Sequence, residues 1–128
     1  MADAKTNYAE AQVLKWLLTT DTTTRPTGWF VALHTGDPGE DAAANELSGD
    51  GYTRITCSFA VTDQTAANTT VATFGPATGA WGTVSHFSIW DAVSGGNPIY
   101  QGALNNSRTV GVDDRLAFDI GAMTVAET

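Results

Sequence analysis

Residues 28–39 read Gly28-Trp29-Phe30-Val31-Ala32-Leu33-His34-Thr35-Gly36-Asp37-Pro38-Gly39 and carry the clearest strand signal in the chain. An apolar run leads directly into a Thr-Gly-Asp-Pro-Gly segment. Proline lacks a backbone donor and glycine adopts positive φ without strain, so this order predicts a strand that stops at a turn. Bulky side chains alternate onto both faces of the strand, and we therefore expect it to be central in a sheet.

Short alternating stretches with turn residues between them continue to the end of the chain. In residues 53–61, Ile55, Cys57, Phe59 and Val61 lie on one face and Arg54, Thr56 and Ser58 on the other. Residues 115–120 repeat this pattern, with Leu116, Phe118 and Ile120 inward. Further strands are predicted at 70–74, 84–91, 98–104 and 122–125. Spacings of about 8–15 residues predict an all-β fold, a single jelly-roll-like sandwich.

One α-helix is predicted near the N-terminus, from about Ala4 to Thr19. Its apolar side chains cover about 200° of the helical wheel, wider than the roughly 100° stripe of a surface helix. We call this set the apolar arc; its members are Val13, Leu14, Trp16, Leu17 and Leu18. So wide an arc needs a second apolar partner, either a loop of this chain or another subunit. The predicted organisation is a helix and linker arm at 1–27 and a β-sandwich domain at 28–128.

Several motifs resemble a family of small tailed-bacteriophage virion proteins, whose members are usually labelled tail-fibre or hypothetical structural proteins. The resemblance begins in the strand and loop of residues 28–39 and in Ser48-Gly49-Asp50-Gly51-Tyr52-Thr53-Arg54. It continues in residues 73–79, 81–91 and 95–100, and so covers most of the chain. None of these motifs is a recognised catalytic or ligand-binding pattern, so the resemblance implies a structural protein of a virion.

Charge and cysteine content exclude several classes of protein. The formal net charge is −8, with only six scattered cationic side chains. A nucleic-acid surface needs clustered cations, so we expect no nucleic-acid partner. No apolar run approaches the roughly 20 residues that span a bilayer, and no signal-peptide pattern is present, so we expect no membrane partner and synthesis in the host cytoplasm. The single cysteine, Cys57, cannot form an internal disulfide.

The residues that could support chemistry form no recognised site. His34 could pair with Asp37 and His86 with Asp91, but neither spacing supplies a third ligand or a nucleophile. The acidic loop could bind calcium through Asp37, Glu40, Asp41, Glu46 and Asp50, yet it lacks the alternating order of a calcium loop. We predict no catalytic residue, no metal site and no cofactor.

Of the four tryptophans, Trp16 and Trp29 belong to predicted core-forming elements, and the other two are considered separately. Trp81 lies in a loop and Trp90 at a strand end. They could stack on a sugar, seal one end of the sandwich, or anchor a subunit interface, where aromatic residues are enriched. Together with the apolar arc, Trp81 and Trp90 form the predicted interface set.

The function that the sequence favours is a non-enzymatic bacteriophage virion structural protein. A small acidic domain without a fibrous shaft suits a capsid decoration (cement) protein, which would bind the major capsid protein on the outer shell as a homotrimer. The alternative is a tail-fibre or tail-associated receptor- or carbohydrate-binding module with tail proteins as partners. Both place the protein in the virion.

Overall fold

The protein is described by a computed structural model that covers residues 2–127. Its helix is α1 (Asn7–Leu18). In chain order, the strands are β1 (Ala2–Lys5), β2 (Phe30–His34), β3 (Ile55–Thr56), β4 (Phe59–Thr62), β5 (Thr65–Asn68), β6 (Ala72–Phe74), β7 (Gly82–Trp90), β8 (Pro98–Val110), β9 (Leu116–Phe118) and β10 (Thr124–Ala126).

Two sheets of unequal size enclose one core. The main sheet has the strand order β3-β2-β7-β8-β1-β10-β5-β4, and β6 pairs with β9 in a two-stranded sheet. Phe74 of β6 and Leu116 of β9 belong to the same buried cluster as Leu33, Phe87 and Val125 of the main sheet. The predicted all-β sandwich with one N-terminal helix is confirmed.

The main sheet curls until its two end strands nearly meet. β3 and β4 lie at opposite ends of the strand order, yet only Cys57 and Ser58 separate them along the chain. Three residue steps span at most about 11 Å. The two halves of the sheet, β3-β2-β7-β8 and β1-β10-β5-β4, therefore face each other as the layers of the sandwich.

The bend at Cys57 and Ser58 corrects the single strand predicted over residues 53–61. Cys57 N–H donates to the Trp29 carbonyl at 2.9 Å, and the Ser58 carbonyl accepts from Thr69 N–H at 2.8 Å. Each residue thus extends the ladder of a different sheet end. Cys57 is buried as predicted, but Val61 is 74% exposed, because the alternation restarts after the bend. Ile120 is exposed for a similar reason, since β9 ends at Phe118 and the chain then turns.

β1 is a strand that the sequence analysis did not predict. It pairs with β8 in antiparallel and with β10 in parallel orientation, and so lies inside the main sheet. Its sequence, Ala-Asp-Ala-Lys, has low β propensity, and only its pairing partners make it a strand. The predicted division at residue 27 stays a prediction, but the arm is hydrogen-bonded into the sheet through β1. The outermost residues of that division, Met1 and Thr128, lie outside the described residues.

The predicted helix is present and starts at a buried cap. The Thr6 hydroxyl accepts from Ala9 N–H at 3.2 Å and donates to the Pro98 carbonyl at 2.6 Å. The backbone N–H of Thr6 donates to the Ile99 carbonyl at 3.0 Å. One residue therefore caps α1 and fixes its start against β8, as a threonine at this position is suited to do.

β2 is paired with a strand on each side, as predicted from the bulky side chains on both of its faces. It is antiparallel to β3 and to β7, and residues 31–34 are completely buried. Val31 and Leu33 belong to the main core, whereas Ala32 packs with Ala42 and Trp90 in a second, smaller cluster. β2 thus separates the core from the loop that covers the outer face.

Asn68 provides a first test of the fold, because its side chain joins the end of β5 to the segment before β10. Its amide donates to the carbonyls of Thr70 (2.8 Å) and Asp119 (2.9 Å), and its carbonyl accepts from Met123 N–H at 2.9 Å. Asn68→Ala would remove three hydrogen bonds, one of them buried and two partly buried, and we expect it to lower the free energy of unfolding by about 2 kcal/mol. Urea denaturation measures the loss. Asn106→Ala, at an exposed asparagine of β8, is the matched control, and equal small losses for both would contradict the assignment.

Candidate functional site

The densest polar cluster lies under the loop between β2 and β3 and centres on an ion pair. Arg54 Nη2 and Nε donate to the two carboxylate oxygens of Glu46, each at 2.9 Å. Arg54 Nη1 donates to the carbonyls of Ala92 (3.1 Å) and Gly95 (2.9 Å) in the loop after β7. The guanidinium also lies 3.9 Å from the centre of the Trp90 ring. The sequence analysis predicted that Arg54 lies on the outward face of a strand. It is instead buried, and it connects the loop between β2 and β3 to the loop after β7.

Tyr52 completes this cluster. Its hydroxyl donates to Glu46 at 2.7 Å and accepts from Leu33 N–H at 3.1 Å. Burial alone would raise the pKa of Glu46, but the hydrogen bonds from Arg54 and Tyr52 and the charge of Arg54 lower it below its usual value. Burial, with the Glu46 carboxylate beside it, raises the pKa of Tyr52. Glu46 is therefore a carboxylate fixed as a hydrogen-bond acceptor.

This cluster explains the Ser-Gly-Asp-Gly-Tyr-Thr-Arg motif at residues 48–54. Tyr52 and Arg54 hold Glu46, and Gly51 makes the turn that brings them there. Gly51 has φ +82°, and a Cβ atom at this position would lie 3.2 Å from the Pro76 carbonyl oxygen. The motif is thus a structural anchor for the loop.

The two histidines form hydrogen bonds within the sheet. His34 is completely buried; its Nδ1 lies 2.7 Å from the Ala44 carbonyl, which can only accept, so Nδ1 carries the proton. His34 Nε2 then accepts from the Ser88 hydroxyl at 2.8 Å, and that hydroxyl accepts from Trp90 Nε1–H at 2.7 Å. Burial lowers the pKa of His34, which is a neutral, fully bonded imidazole. His86 Nδ1 lies 2.8 Å from the Ser85 hydroxyl.

Three of the carboxylates that were considered as histidine partners or calcium ligands accept hydrogen bonds from other groups. Asp37 accepts from Gly39 N–H at 2.9 Å, and Asp91 accepts from Asn97 N–H at 2.7 Å. Asp41 accepts from the amide of Asn7 at 3.1 Å, which ties the acidic loop to the start of α1. Among the side chains of residues 4–127, no three from His, Cys, Asp or Glu come close enough to hold a metal ion.

Trp81 and Trp90 of the predicted interface set are packed inside this chain. Trp81 Nε1–H donates to the Asp50 carbonyl at 2.8 Å, and its ring meets Tyr52 edge-to-face with centroids 5.8 Å apart. Trp90 lies between Arg54 and the His34 network. Both side chains are less than a tenth exposed. Loop contacts that the local sequence does not reveal cover both rings, and the predicted part of Trp81 and Trp90 in an interface stays a prediction.

The apolar arc, by contrast, lies on the surface. Ala9 is the buried residue of α1, and the exposed fraction rises to 69% at Trp16 and 75% at Leu18. Val13, Leu14 and Leu17 are exposed as well. All five arc residues are thus at least one third exposed, with Val13 the most covered at 36%.

A second apolar surface lies between the two halves of the curled sheet. It is an open groove of about 330 Å³. Its apolar lining comes from Trp29, Phe59, Val61, Ala66, Ile89, Ile99, Tyr100 and Val125. Asp63, Gln64, Thr65 and Glu127 also line it. Trp29, which belongs to a predicted core-forming element, is 38% exposed here. The sequence missed this groove because its walls come from strands that are distant along the chain.

Comparison with known proteins places the chain among phage proteins. A sequence profile of the family described as podophage GP4 fiber I protein gp80 matches residues 4–126. The chain belongs to this family. The match agrees with the resemblance stated from the motifs, and the protein is a phage virion structural protein. No curated protein matches the sequence. α1, the helix of residues 2–127, is not long and apolar enough to cross a membrane.

Substitution of Arg54 tests the loop anchor. Arg54→Ala leaves Glu46 without its cation, and we expect a loss of about 3 kcal/mol in unfolding free energy, as for a buried pair deprived of one partner. Arg54→Lys keeps the charge but not the bidentate geometry, and a smaller loss is expected. Arg115→Ala, at an exposed arginine, should change stability by no more than about 0.5 kcal/mol. Thermal unfolding compares the three; equal stability of Arg54→Ala and Arg115→Ala would refute the anchor.

The buried imidazole makes stability depend on pH. The folded state binds a proton at His34 more weakly than the unfolded chain, whose histidine pKa is about 6.5. Protonation therefore favours unfolding, and stability should fall as the pH drops below about 6.5. His34→Gln should be less stable at pH 7 but should lose much less stability between pH 7 and pH 5. Denaturant titrations at both pH values measure this, and a His34→Gln protein that loses as much stability as the wild type between pH 7 and pH 5 would contradict it.

Proposed function

We propose that this protein is a non-enzymatic fibre subunit of a phage virion that assembles with itself, as a homotrimer, and with tail proteins. The family description, which names a fibre protein, supports the fibre role. The exposed apolar arc supports self-assembly. The polar clusters support a structural role, since their side chains are bonded to one another and to backbone atoms.

The apolar arc is the single observation that carries self-assembly. Three leucines, a valine and a tryptophan on one helix expose roughly 500 Å² of apolar surface, at the upper end of what single patches on monomeric proteins present. Patches of this size usually mark a protein interface. In a virion, a neighbouring subunit is the natural cover.

The second candidate is the capsid decoration protein favoured by the sequence. Its support is the charge of residues 28–127, which carry eleven carboxylates against three guanidinium groups. A surface of this sign suits the outside of a shell and repels packaged DNA. In that role the major capsid protein would be the partner.

A receptor- or carbohydrate-binding role within the fibre is the remaining finer possibility. Because Trp81 and Trp90 are packed inside the chain, a sugar would have to use another ring. Trp29 lines the groove and is 38% exposed, so its ring is available to a sugar that binds there.

Copy number in purified particles distinguishes the fibre from the decoration role. Tail symmetry limits a fibre subunit to tens of copies, whereas a decoration protein occupies hundreds of equivalent shell sites. We expect tens of copies by quantitative mass spectrometry against the major capsid protein. Particles lacking the protein should keep their DNA on heating but fail to adsorb to cells. Hundreds of copies, or early loss of DNA with normal adsorption, would assign the protein to the capsid instead.

A further inference from the structure

We infer that the apolar arc of one copy binds in the groove of a second copy. This inference rests on the self-assembly proposed above and names its two contact surfaces. The groove is lined by β4, β5, β7, β8, β10 and the residue before β2, and the arc lies on α1. Each copy therefore carries both the apolar arc and the apolar groove.

The sizes of the two surfaces match. A cavity of roughly 150 Å³ holds a benzene ring, so a groove of about 330 Å³ accommodates about two large side chains. Leu14 and Leu17 are three residues apart on α1, so their side chains lie next to each other on the arc, and they are 58% and 63% exposed. Val61, 74% exposed on β4, and Trp29, 38% exposed, form apolar walls that their side chains can contact.

Charge favours this contact over others between identical copies. The body of the protein at residues 28–127 is strongly acidic, so two bodies repel each other. Residues 7–27 are neutral, since Glu10 and Asp21 are balanced by Lys15 and Arg25. At the groove, the carboxylate of Glu127 is already paired with Lys5 and accepts from the hydroxyl of Tyr100. A neutral helix can therefore approach this acidic body more closely than another body can.

The arc and the groove are neighbours in one copy but do not cover each other. Thr6 caps α1 and is bonded to the backbone of Pro98 and Ile99, and Ile99 lines the groove. Because this cap fixes the start of the helix, the arc remains exposed beside its own groove. A second copy can therefore place its arc in this groove. In a closed symmetric assembly, every copy also places its own arc in the groove of a neighbour.

Closure of the assembly adds to the buried area. The arc supplies roughly 500 Å², less than the about 800 Å² that each partner buries in a standard interface. In a closed ring each copy gives its arc to one neighbour and its groove to the other, so each copy is held by two such contacts.

Crosslinking between two differently tagged copies tests the contact. One copy carries Leu17→Cys and the other Val61→Cys; they are mixed and treated with a short bis-maleimide reagent. We expect a crosslinked heterodimer, with Cys57 unreactive because it is buried. Val112→Cys replaces Val61→Cys in the control, since Val112 is 59% exposed but does not line the groove. The control pair should give at least tenfold less heterodimer.

Three results would overturn the inference: no heterodimer, equal yields from Val61→Cys and Val112→Cys, or crosslinks confined to Leu17→Cys pairs. The mass of the uncrosslinked wild type, measured by light scattering, separates this failure from failure of the proposed function. An oligomer that does not crosslink at the groove keeps the self-assembly and rejects the groove. A monomer that binds a sugar, with a change in tryptophan fluorescence abolished by Trp29→Ala, would assign the groove to a carbohydrate.

Discussion

The bend at Cys57 and Ser58 is the constraint on which the rest of the structure depends. The two backbone hydrogen bonds at this bend extend the β2–β3 ladder on one side and the β4–β5 ladder on the other. They bring the two end strands of an eight-stranded sheet close together, so the edges of the sheet are not left as long open ladders that could pair with other chains. The two faces of the curled sheet then enclose the core with β6 and β9. The groove between the two halves follows from the same closure.

A second constraint holds the loops to this curled sheet. Arg54 is bonded to Glu46 and to two carbonyls, and Trp90 lies against its guanidinium. A buried ion pair contributes little net stability unless hydrogen bonds replace the lost water, and here the tyrosine hydroxyl and the carbonyls do so. The neutral His34 network lies on the same side of β2. This arrangement positions long loops without a disulfide or a metal ion in the described residues.

The polar clusters and the apolar surfaces divide the molecule into two kinds of region. Polar side chains near Arg54 and His34 are bonded within the chain, and the buried side-chain polar atoms of residues 4–127 all have partners. The exposed side chains of the apolar arc and the apolar lining of the groove form the other kind of region. The proposed self-assembly would bury this second kind of surface.

Local sequence patterns determined the helix, the turn after β2, the acidic charge and the all-β class, because each depends on neighbours along the chain. Thr6 precedes an apolar helical stretch, and residues 28–39 combine an apolar run with Pro and Gly. The tertiary structure decided what depends on distant partners. β1 is a strand only because β8 and β10 flank it, and Arg54 is buried only because Glu46 and Trp90 reach it. Period-two alternation shows which side chains share a face, but not that the strand bends at Cys57 or which layer covers Trp81. The apolar arc could thus be identified from sequence, whereas the groove, built from five strands and the residue before β2, required the fold.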